Sequence, residues 1–410
     1  MTEPGINGER LWNSLMELAR IGATERGGVC RLALTEEDRR GRDLFVRWCE
    51  EAGCRVRVDA MGNIFARRAG REDTLAPVLS GSHLDSQPTG GKFDGAYGVM
   101  AALEAVRTLN DHGIETRRPL EIVSWTNEEG SRFAPAMVGS GVWAGAFDLD
   151  YGHSRTDADG VRLGQALAAI GYAGVTMDTN ERPVAYLEAH IEQGPILEQE
   201  GQTIGVVLGV QGMRWFEITV TGQDAHAGPT PMEGRRDALL AAARAIVAVN
   251  QAGLSQTPDG RATVGVIRNR SNSTNVIPGE VFFSVDLRHP QVTALDVMEA
   301  NLREQCEAIA ADSGTGFVMR RIWDSPPVAF ADPCIDAVRA GAQTGGYRHR
   351  DIYSGAGHDA VYVARVAPTG MIFVPCAGGL SHNEQESATP EDLAAGGDVL
   401  LRAMFRLADT

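Results

Sequence analysis

Five short stretches of this sequence carry imidazole or carboxylate side chains among glycine, serine and asparagine. They are residues 81–85, 93–95, 126–130, 188–190 and 380–384. Imidazole nitrogens and carboxylate oxygens are the ligands that zinc, manganese and cobalt take in proteins. Two divalent ions held about 3.5–4 Å apart activate water for hydrolysis. The stretches together therefore predict metal-assisted hydrolysis.

His83 and Asp94 are the first two candidate ligands along the chain. His83 follows Gly81 and Ser82, and Asp85 lies two residues further on. Side chains two apart in extended chain point the same way. Asp85 is therefore predicted to accept the second ring N–H of His83 and fix its tautomer. Asp94 has two compatible interpretations, a helix N-cap and a carboxylate that bridges two ions.

The adjacent acids Glu128 and Glu129 are hard to explain structurally, because neighbouring carboxylates repel each other unless cations are near. Adjacent side chains point apart in extended chain. One acid can then bind metal while the other holds the attacking water as a general base. His190 and His382, the latter in a glycine-rich turn, are weak candidates individually. The occurrence of all five stretches in one chain makes the set specific.

The elements that must position these residues alternate between strands and helices. Residues 76–80 and 120–125 are predicted as short buried strands, and each runs directly into a candidate stretch. Residues 95–109 are predicted as a helix. Residues 184–189 are predicted as an apolar strand, and His190 is predicted to lie at its end. Such alternation is typical of an α/β sheet, whose ligands bind at the carboxyl ends of the strands.

The first 80 residues are predicted to form two helices and a β-hairpin. Apolar residues recur at helical spacing from Leu11 to Ile21. Thr35 is predicted to cap a second helix that runs through Glu51.

The pattern changes after residue 212. Strands and helices then follow in the order βαββαβ, at residues 214–221, 235–250, 262–268, 281–288, 292–311 and 317–323. This order matches the ferredoxin-like unit. Because candidate ligands lie on both sides of it, residues 213–327 are predicted to be inserted into a catalytic domain of residues 1–212 and 328–410.

Composition limits the partners and the compartment. The 410 residues carry a net charge of -16, which disfavours nucleic acid and anionic membranes as partners. The six cysteines include no C-x-x-C pair and are too sparse for a disulfide scaffold. The first ten residues lack the apolar core of a signal peptide, and no apolar run approaches the length of a membrane span. A soluble cytoplasmic protein is expected.

Long motifs in this sequence resemble the hydantoinase/carbamoylase branch of the M20 metallopeptidase-like amidohydrolases. They lie at residues 81–99, 126–133, 188–195, 222–232 and 355–360, so the resemblance spans nearly the whole chain. It implies a di-metal, aminopeptidase-like α/β catalytic domain with an inserted ferredoxin-like domain for dimerisation or as a lid. It also implies a homodimer through the inserted domain.

The resemblance also assigns roles to residues. Two divalent ions per subunit, zinc or else manganese, cobalt or nickel, would be bound by His83, Asp94, Glu129, His190 and His382. In this assignment His83 and His190 hold one ion, Glu129 and His382 hold the other, and Asp94 bridges them. Glu128 would be the general base, and Asp85 would support His83 as described above.

Substrate contacts are implied for residues of both domains. The set is Gln193, His226, Asn275, Arg288 and Gly357. Arg288 would hold a substrate carboxylate with its guanidinium fork, although a solvated strand end is the simpler interpretation of this residue alone. His226 would assist catalysis near the scissile carbonyl, from its own or a partner subunit. His358 has either a structural hydrogen bond, with Asp359 or nearby backbone, or a catalytic role.

The expected activity is hydrolysis of the carbamoyl C–N bond of N-carbamoyl-L-amino acids or N-carbamoyl-β-alanine. The products would be the amino acid, ammonia and carbon dioxide. An allantoate amidohydrolase has the same centre with a different pocket. A dipeptidase and a catalytically inactive binding protein are further alternatives, and the complete ligand set argues against the last.

Overall fold

The computed structural model describes residues 4–177 and 182–409 of the chain. The chain divides into two compact units, one formed by Met1–Gly209 with Ala329–Thr410 and the other by Val210–Val328. The sequence analysis expected the boundaries after residues 212 and 327. The first unit is discontinuous, and the second is one uninterrupted segment.

The amino-terminal part of the first unit begins with two helices and continues with strands and further helices. Its helices are α1 (Gly8–Leu18), α2 (Glu36–Glu51), α3 (Ala96–Asp111), α4 (Val138–Trp143), α5 (Leu149–His153), α6 (Leu163–Ala169) and α7 (Ile196–Glu200). Its strands are β1 (Arg55–Val58), β2 (Ile64–Arg68), β3 (Val78–His83), β4 (Leu120–Trp125), β5 (Ala185–Ile191) and β6 (Ile204–Val210). As predicted, Thr35 caps α2, because its hydroxyl accepts a hydrogen bond from the N–H of Asp38.

The second unit contains most of its residues in five long elements. Its strands are β7 (Gly212–Thr221), β8 (Ala225–His226), β9 (Arg261–Thr263), β10 (Ile267–Asn269), β11 (Val276–Ile277), β12 (Glu280–His289) and β13 (Gly316–Ser325). Its helices are α8 (Ala238–Leu254) and α9 (Val292–Ser313).

The chain then returns to the first unit. The strands are β14 (Val328–Ala329), β15 (His349–Ser354) and β16 (Thr369–Val374), and the helices are α10 (Asp332–Thr344), α11 (Ala360–Val363) and α12 (Pro390–Ala408). A 3-10 turn at Ala377–Gly379 precedes the loop that carries His382. Within the described ranges, no helix combines the length and apolar character needed to cross a membrane.

Among the described residues, nine strands of the first unit form one sheet. The order is β1-β2-β4-β3-β5-β16-β6-β14, with β15 also paired to β6. The central strands β4, β3, β5 and β16 are parallel and buried throughout. Burial on both faces is typical of parallel strands, and α3, α11 and α12 pack against them. The carboxyl ends of these four strands therefore meet at one edge.

The second unit has an antiparallel sheet in the order β10-β12-β7-β13, with β9 also paired to β12 and a separate β8–β11 ribbon. The single strand predicted over residues 262–268 is wrong. Thr263 pairs with Asp286 but Ile267 pairs with Phe283, so the register shifts by one residue between β9 and β10. An extra residue of this kind is a β-bulge, and it interrupts the ladder.

Alternation along β7 and β12 gives the second sheet two different faces. One face packs on α8 and α9, and its buried residues include Phe216, Ile218, Val281, Phe283, Val285 and Leu287. The opposite face, here called the outer face, carries the residues between them. On β12 these include Asp286 and Arg288, which are partly exposed.

Candidate metal centre

The candidate ligands lie at the carboxyl ends of parallel strands and in the adjoining loops. His83 is the last residue of β3, and Glu128 follows the end of β4 closely. His190 was predicted to lie at the end of its strand, but β5 continues through His190 to Ile191. That boundary was wrong because the parallel pairing with β16 extends to Ile191, opposite Val374. The side chains meet because β4, β3 and β5 are adjacent and parallel.

Asp94 lies at the centre of the cluster, and its two oxygens face different partners. Oδ1 is 3.5 Å from Nε2 of His83 and 3.2 Å from Nε2 of His190. Oδ2 is 3.5 Å from Nε2 of His382, which is itself 3.3 Å from Oε2 of Glu129. Two groups of three donors thus share Asp94, and the donor atoms in each group lie within 4.8 Å of one another. The nitrogen and oxygen donors and their spacing suit divalent metal.

A tight turn brings Asp94 to the histidines. Gly95 follows Asp94 with φ of 63°, and a Cβ at this position would lie 2.3 Å from the His83 ring. Its N–H donates to Nε2 of His190 over 3.1 Å. The turn therefore requires glycine both for its left-handed backbone and for its closeness to the imidazole.

Main-chain carbonyls set the tautomers of both buried histidines. Nδ1 of His83 donates to the carbonyl of Asp85, and Nδ1 of His190 to that of Ile191, each over 2.9 Å. Because a carbonyl only accepts, Nδ1 carries a hydrogen in both rings, and Nε2 is the nitrogen through which each neutral ring would bind a metal ion in the cluster. The predicted contact from the Asp85 carboxylate is wrong, since Oδ1 lies 4.0 Å from Nδ1. That carboxylate instead accepts the backbone N–H groups of Glu128 and Glu129, each over 3.2 Å.

The two adjacent acids lie in different surroundings. Oε2 of Glu128 is 3.5 Å from Nε2 of His83, and Glu128 is 7% exposed. Oε2 of Glu129 accepts a hydrogen bond from Gln87 over 2.8 Å. As predicted for adjacent residues, one carboxylate lies beside His83 and the other beside His382.

Burial dominates the electrostatics of these acids. It raises the pKa of Glu128 well above its usual range, although His83 opposes the shift. Burial and the Asp94 carboxylate raise the pKa of Glu129 to about 8. Burial opposes the shift at His83, but Glu128 and Asp94 outweigh it and raise the pKa of this imidazole. Burial opposes the shift at Asp94, but the contacts with His190 and His83 together outweigh it and hold the pKa of this carboxyl well below the usual range. A divalent cation would favour the ionised form of all three acids.

Glu386 is a site residue that the sequence reasoning missed. Its Oε1 accepts the N–H groups of Phe93 and Asp94 over 2.9 and 3.2 Å. The Ser381 hydroxyl lies 2.7 Å from Oδ2 of Asp94 and 3.3 Å from Oε2 of Glu386. A Cβ on Gly91 would lie 2.0 Å from the Glu386 carboxyl carbon, so only glycine fits at this position without moving Glu386. The sequence signal that could have indicated this residue is its position, two residues beyond the stretch 380–384 that carries His382.

His358 lies next to the cluster, and its ring centroid is 4.6 Å from that of His190. Its Nε2 shares a hydrogen bond with the Ser354 hydroxyl over 3.0 Å. Asp359, considered as its partner, instead accepts a short hydrogen bond from Ser140. Burial lowers the pKa of His358 well below its usual range, so this ring is neutral at neutral pH.

Two expected substrate residues belong to the first unit. Gln193 has φ of 56°, and its Nε2 donates to Oδ2 of Asp94 over 2.8 Å. Its Oε1 is buried and has no hydrogen-bond partner among the described residues. Gly357 precedes His358, and a Cβ there would lie 3.0 Å from the terminal methyl of Met137.

The second unit brings two of its expected residues together and separates the third. His226 pairs with Val276 across the β8–β11 ribbon, and the N–H of Ala227 donates to the carbonyl of Asn275 over 2.8 Å. This ribbon adjoins the end of the sheet where β12 begins at Glu280. Arg288 lies eight residues along β12 from Glu280, about 27 Å at about 3.4 Å per residue.

Arg288 forms a pair with Asp286 on the outer face. Nε and a terminal nitrogen of its guanidinium contact Oδ2 of Asp286 over 3.0 and 2.8 Å. The two side chains are 29% and 27% exposed. Arg261 of β9 lies directly opposite Arg288 in the sheet. The guanidinium groups of Arg288 and Arg261 and the carboxylate of Asp286 are therefore neighbours on this face.

Comparison with known proteins identifies the family. The sequence profile of peptidase family M20/M25/M40 matches residues 79–406. The N-carbamoyl-L-amino-acid amidohydrolase of Rhizobium meliloti is 47% identical over 413 residues, which cover 100% of this chain and 99% of that protein. The allantoate amidohydrolase of Bacillus subtilis is 34% identical over 95% of both chains.

A solved structure gives the same answer for the fold. The crystal structure of an amidase of the hydantoinase/carbamoylase family from Burkholderia multivorans superposes with a TM-score of 0.96 and 60% identity, over 99% of both chains. As its motifs predicted, the chain belongs to peptidase family M20/M25/M40 and, within it, to the amidohydrolases of the hydantoinase/carbamoylase type.

Proposed function

We propose that this protein is a metal-dependent amidohydrolase that cleaves the carbamoyl C–N bond of N-carbamoyl-L-amino acids. The observation that carries the proposal is Asp94, whose two oxygens face separate sets of imidazole and carboxylate donors. One carboxylate between two such sets suits a pair of divalent ions. The Rhizobium meliloti relative supports the carbamoyl amino acid as the substrate class.

The metal assignment follows the two donor groups. His83 and His190 would hold one ion, Glu129 and His382 the other, and Asp94 would bridge them. Divalent ions bound there would polarise the substrate carbonyl and make water more acidic. Zinc, manganese, cobalt and nickel all accept these donors.

Glu128 is the residue that we assign as general base. Its carboxylate is buried beside His83, next to the donors that would hold the metal ions, so it could reach a water bound there. It would take a proton from water as the water oxygen bonds to the carbamoyl carbon. It would then return the proton to the amino acid nitrogen as the C–N bond breaks. The carbamate left behind decomposes to ammonia and carbon dioxide.

The outer face around Arg288 is the proposed anchor for the substrate carboxylate. The planar guanidinium of Arg288 lies beside Asp286 and opposite Arg261, and its fork shape suits a substrate carboxylate. In the first unit, Oε1 of Gln193 is a buried acceptor without a partner among the described residues, suited to the carbamoyl NH2 group. Gly357 would offer backbone close to the substrate.

We also propose that the second unit is a ferredoxin-like lid and dimerisation domain. Arg288 lies about 27 Å along β12 from Glu280. Glu280 is at the end of the sheet that the ribbon of His226 and Asn275 adjoins. One small substrate could therefore not contact all three residues within one subunit. In a dimer, Arg288 of one subunit and the ribbon of the other could contact the same substrate. The partner subunit would then supply its His226 to stabilise the developing oxyanion and its Asn275 to bind substrate.

Helix α8 offers a surface for that dimer. Leu240, Val247 and Leu254 recur every seven residues, so they share one face, and they are 58%, 61% and 54% exposed. An exposed apolar stripe of this kind is typical of an interface. A twofold axis would pair it with the same stripe of a second copy.

The test measures ammonia release from N-carbamoyl-L-amino acids, N-carbamoyl-β-alanine and allantoate by the metal-loaded enzyme and by Glu128→Gln. The variant should retain its metal but lose at least a hundredfold in kcat, because an amide cannot accept the proton. Turnover of allantoate alone would favour the function of the Bacillus subtilis relative. A Glu128→Gln enzyme with nearly native kcat would refute the assignment of the base.

A further inference from the structure

Two tryptophans lie on the outer face of the second sheet, next to the Asp286–Arg288 pair. Trp215 of β7 is directly opposite Asp286, and Trp323 of β13 is directly opposite Trp215. Their ring centroids are 6.2 Å apart with an interplanar angle of 37°. They are 41% and 51% exposed. The pair thus forms an apolar platform beside the cation proposed to hold the substrate.

The two indole rings are not part of the hydrophobic core of the second unit. The alternate residues of the same strands, including Phe216, Phe283 and Val285, fill the space against α8 and α9. Trp215 and Trp323 point the other way. Tryptophan is enriched at binding surfaces, and a contiguous exposed apolar patch is typical of a binding site.

The register sets the distance between the platform and Arg288. Trp215 is the diagonal neighbour of Arg288 across β7 and β12, about 7–8 Å away and within reach of long side chains. Trp323 lies one strand further, about 5 Å beyond. A carboxylate on Arg288 therefore places the substituent of the adjoining α-carbon within reach of the indoles.

We propose that Trp215 and Trp323 form the subsite for the substrate side chain. The preferred substrates are then N-carbamoyl-L-amino acids with aromatic or large aliphatic side chains. N-carbamoylglycine and N-carbamoyl-β-alanine lack a side chain to place on the platform. This inference rests on the proposed carbamoyl hydrolase function and on the carboxylate anchor at Arg288.

The experiment compares kcat/KM for the N-carbamoyl derivatives of glycine, L-alanine, L-leucine and L-phenylalanine. The wild-type enzyme and Trp323→Ala are measured together, with Trp323→Leu as a milder change. Trp323→Ala should lose about tenfold on the phenylalanine derivative, the size of one aromatic contact. Its rate on the glycine derivative should change less than about twofold. Trp323→Leu should retain the rate on the leucine derivative.

The matched control is Val318→Ala. Val318 is on the outer face of the same strand, opposite Thr219 and 63% exposed, but it lies further from Arg288. It should leave the whole substrate series unchanged. Dissociation constants for the same compounds in a Glu128→Gln background give a second readout, in which Trp323→Ala should weaken only the aromatic and leucine derivatives.

The outcomes separate this inference from the proposed function. If the wild-type enzyme hydrolyses no carbamoyl amino acid, the proposed function fails. If it hydrolyses all of them and Trp323→Ala slows them equally or not at all, the side-chain subsite is refuted. If Trp323→Ala instead converts a dimer to a monomer in sedimentation, the platform is an interface between copies, which also refutes the subsite.

Discussion

Replacement of Glu386 by alanine should destabilise the first unit and loosen the candidate metal centre. Glu386 is 4% exposed and accepts hydrogen bonds from the N–H groups of Phe93 and Asp94. Alanine would leave both donors without an acceptor. A buried donor left in this state costs about 1–3 kcal/mol, so the pair costs about 2–6 kcal/mol. The orientation of Asp94 through Ser381 should weaken as well.

The expected change is large enough for calorimetry. At about 2 °C per kcal/mol for a unit of this size, the Tm of metal-free Glu386→Ala should fall by roughly 4–12 °C. Glu386→Gln keeps one carbonyl oxygen that can accept both N–H groups, so its Tm should fall by less than half as much. Elemental analysis after dialysis against a weak chelator should show that Glu386→Ala loses metal before the wild-type enzyme does.

Glu384→Ala is the matched control, because Glu384 lies in the same loop. Its carboxylate is 3.9 Å from the guanidinium of Arg26, and the two side chains are 14% and 84% exposed. A pair this long with one side chain in solvent contributes about 0–1 kcal/mol, so the control should unfold close to wild type. If Glu386→Ala unfolds within about 2 °C of wild type and keeps its full metal content, the reasoning from its hydrogen bonds is refuted.

Asp94→Ala should lower metal content at both sites and His382→Ala mainly at one, and two full equivalents in Asp94→Ala would rule out the bridge. Arg288→Lys should raise KM for carboxylate substrates more than it lowers kcat, since a point charge replaces a planar fork. If kcat/KM changes by less than tenfold in both Arg288→Lys and Arg288→Ala, Arg288 is only a strand-end residue and does not hold the carboxylate. Burial raises the pKa of Asp59 to about 6, against about 3.9 unfolded. The folded state therefore binds this proton more tightly, and the stability contribution of Asp59 is full below about pH 4 and lost as the pH rises through about 6. Urea unfolding across this range should show wild type losing up to about 3 kcal/mol more than Asp59→Asn; equal losses would contradict the shift.

Elements with a strong local pattern were predictable from sequence. The helix capped by Thr35 and the strand over residues 120–125 were found at the predicted positions, because a cap and an apolar run act over a few residues. The division of the strand over residues 262–268 was not predictable in this way. Its register depends on β12, which is distant in sequence.

The sequence by itself determined that the chain is a hydrolase of this family, because imidazoles and carboxylates in long specific motifs are visible without coordinates. Only the tertiary structure decided how these groups are arranged. It showed that the two oxygens of Asp94 face different donors, and that the Asp85 carbonyl, not its carboxylate, orients His83. It also brought Glu386 to Asp94 from 292 residues away. Such contacts depend on hydrogen-bond directions and strand register between distant segments, which no local pattern encodes.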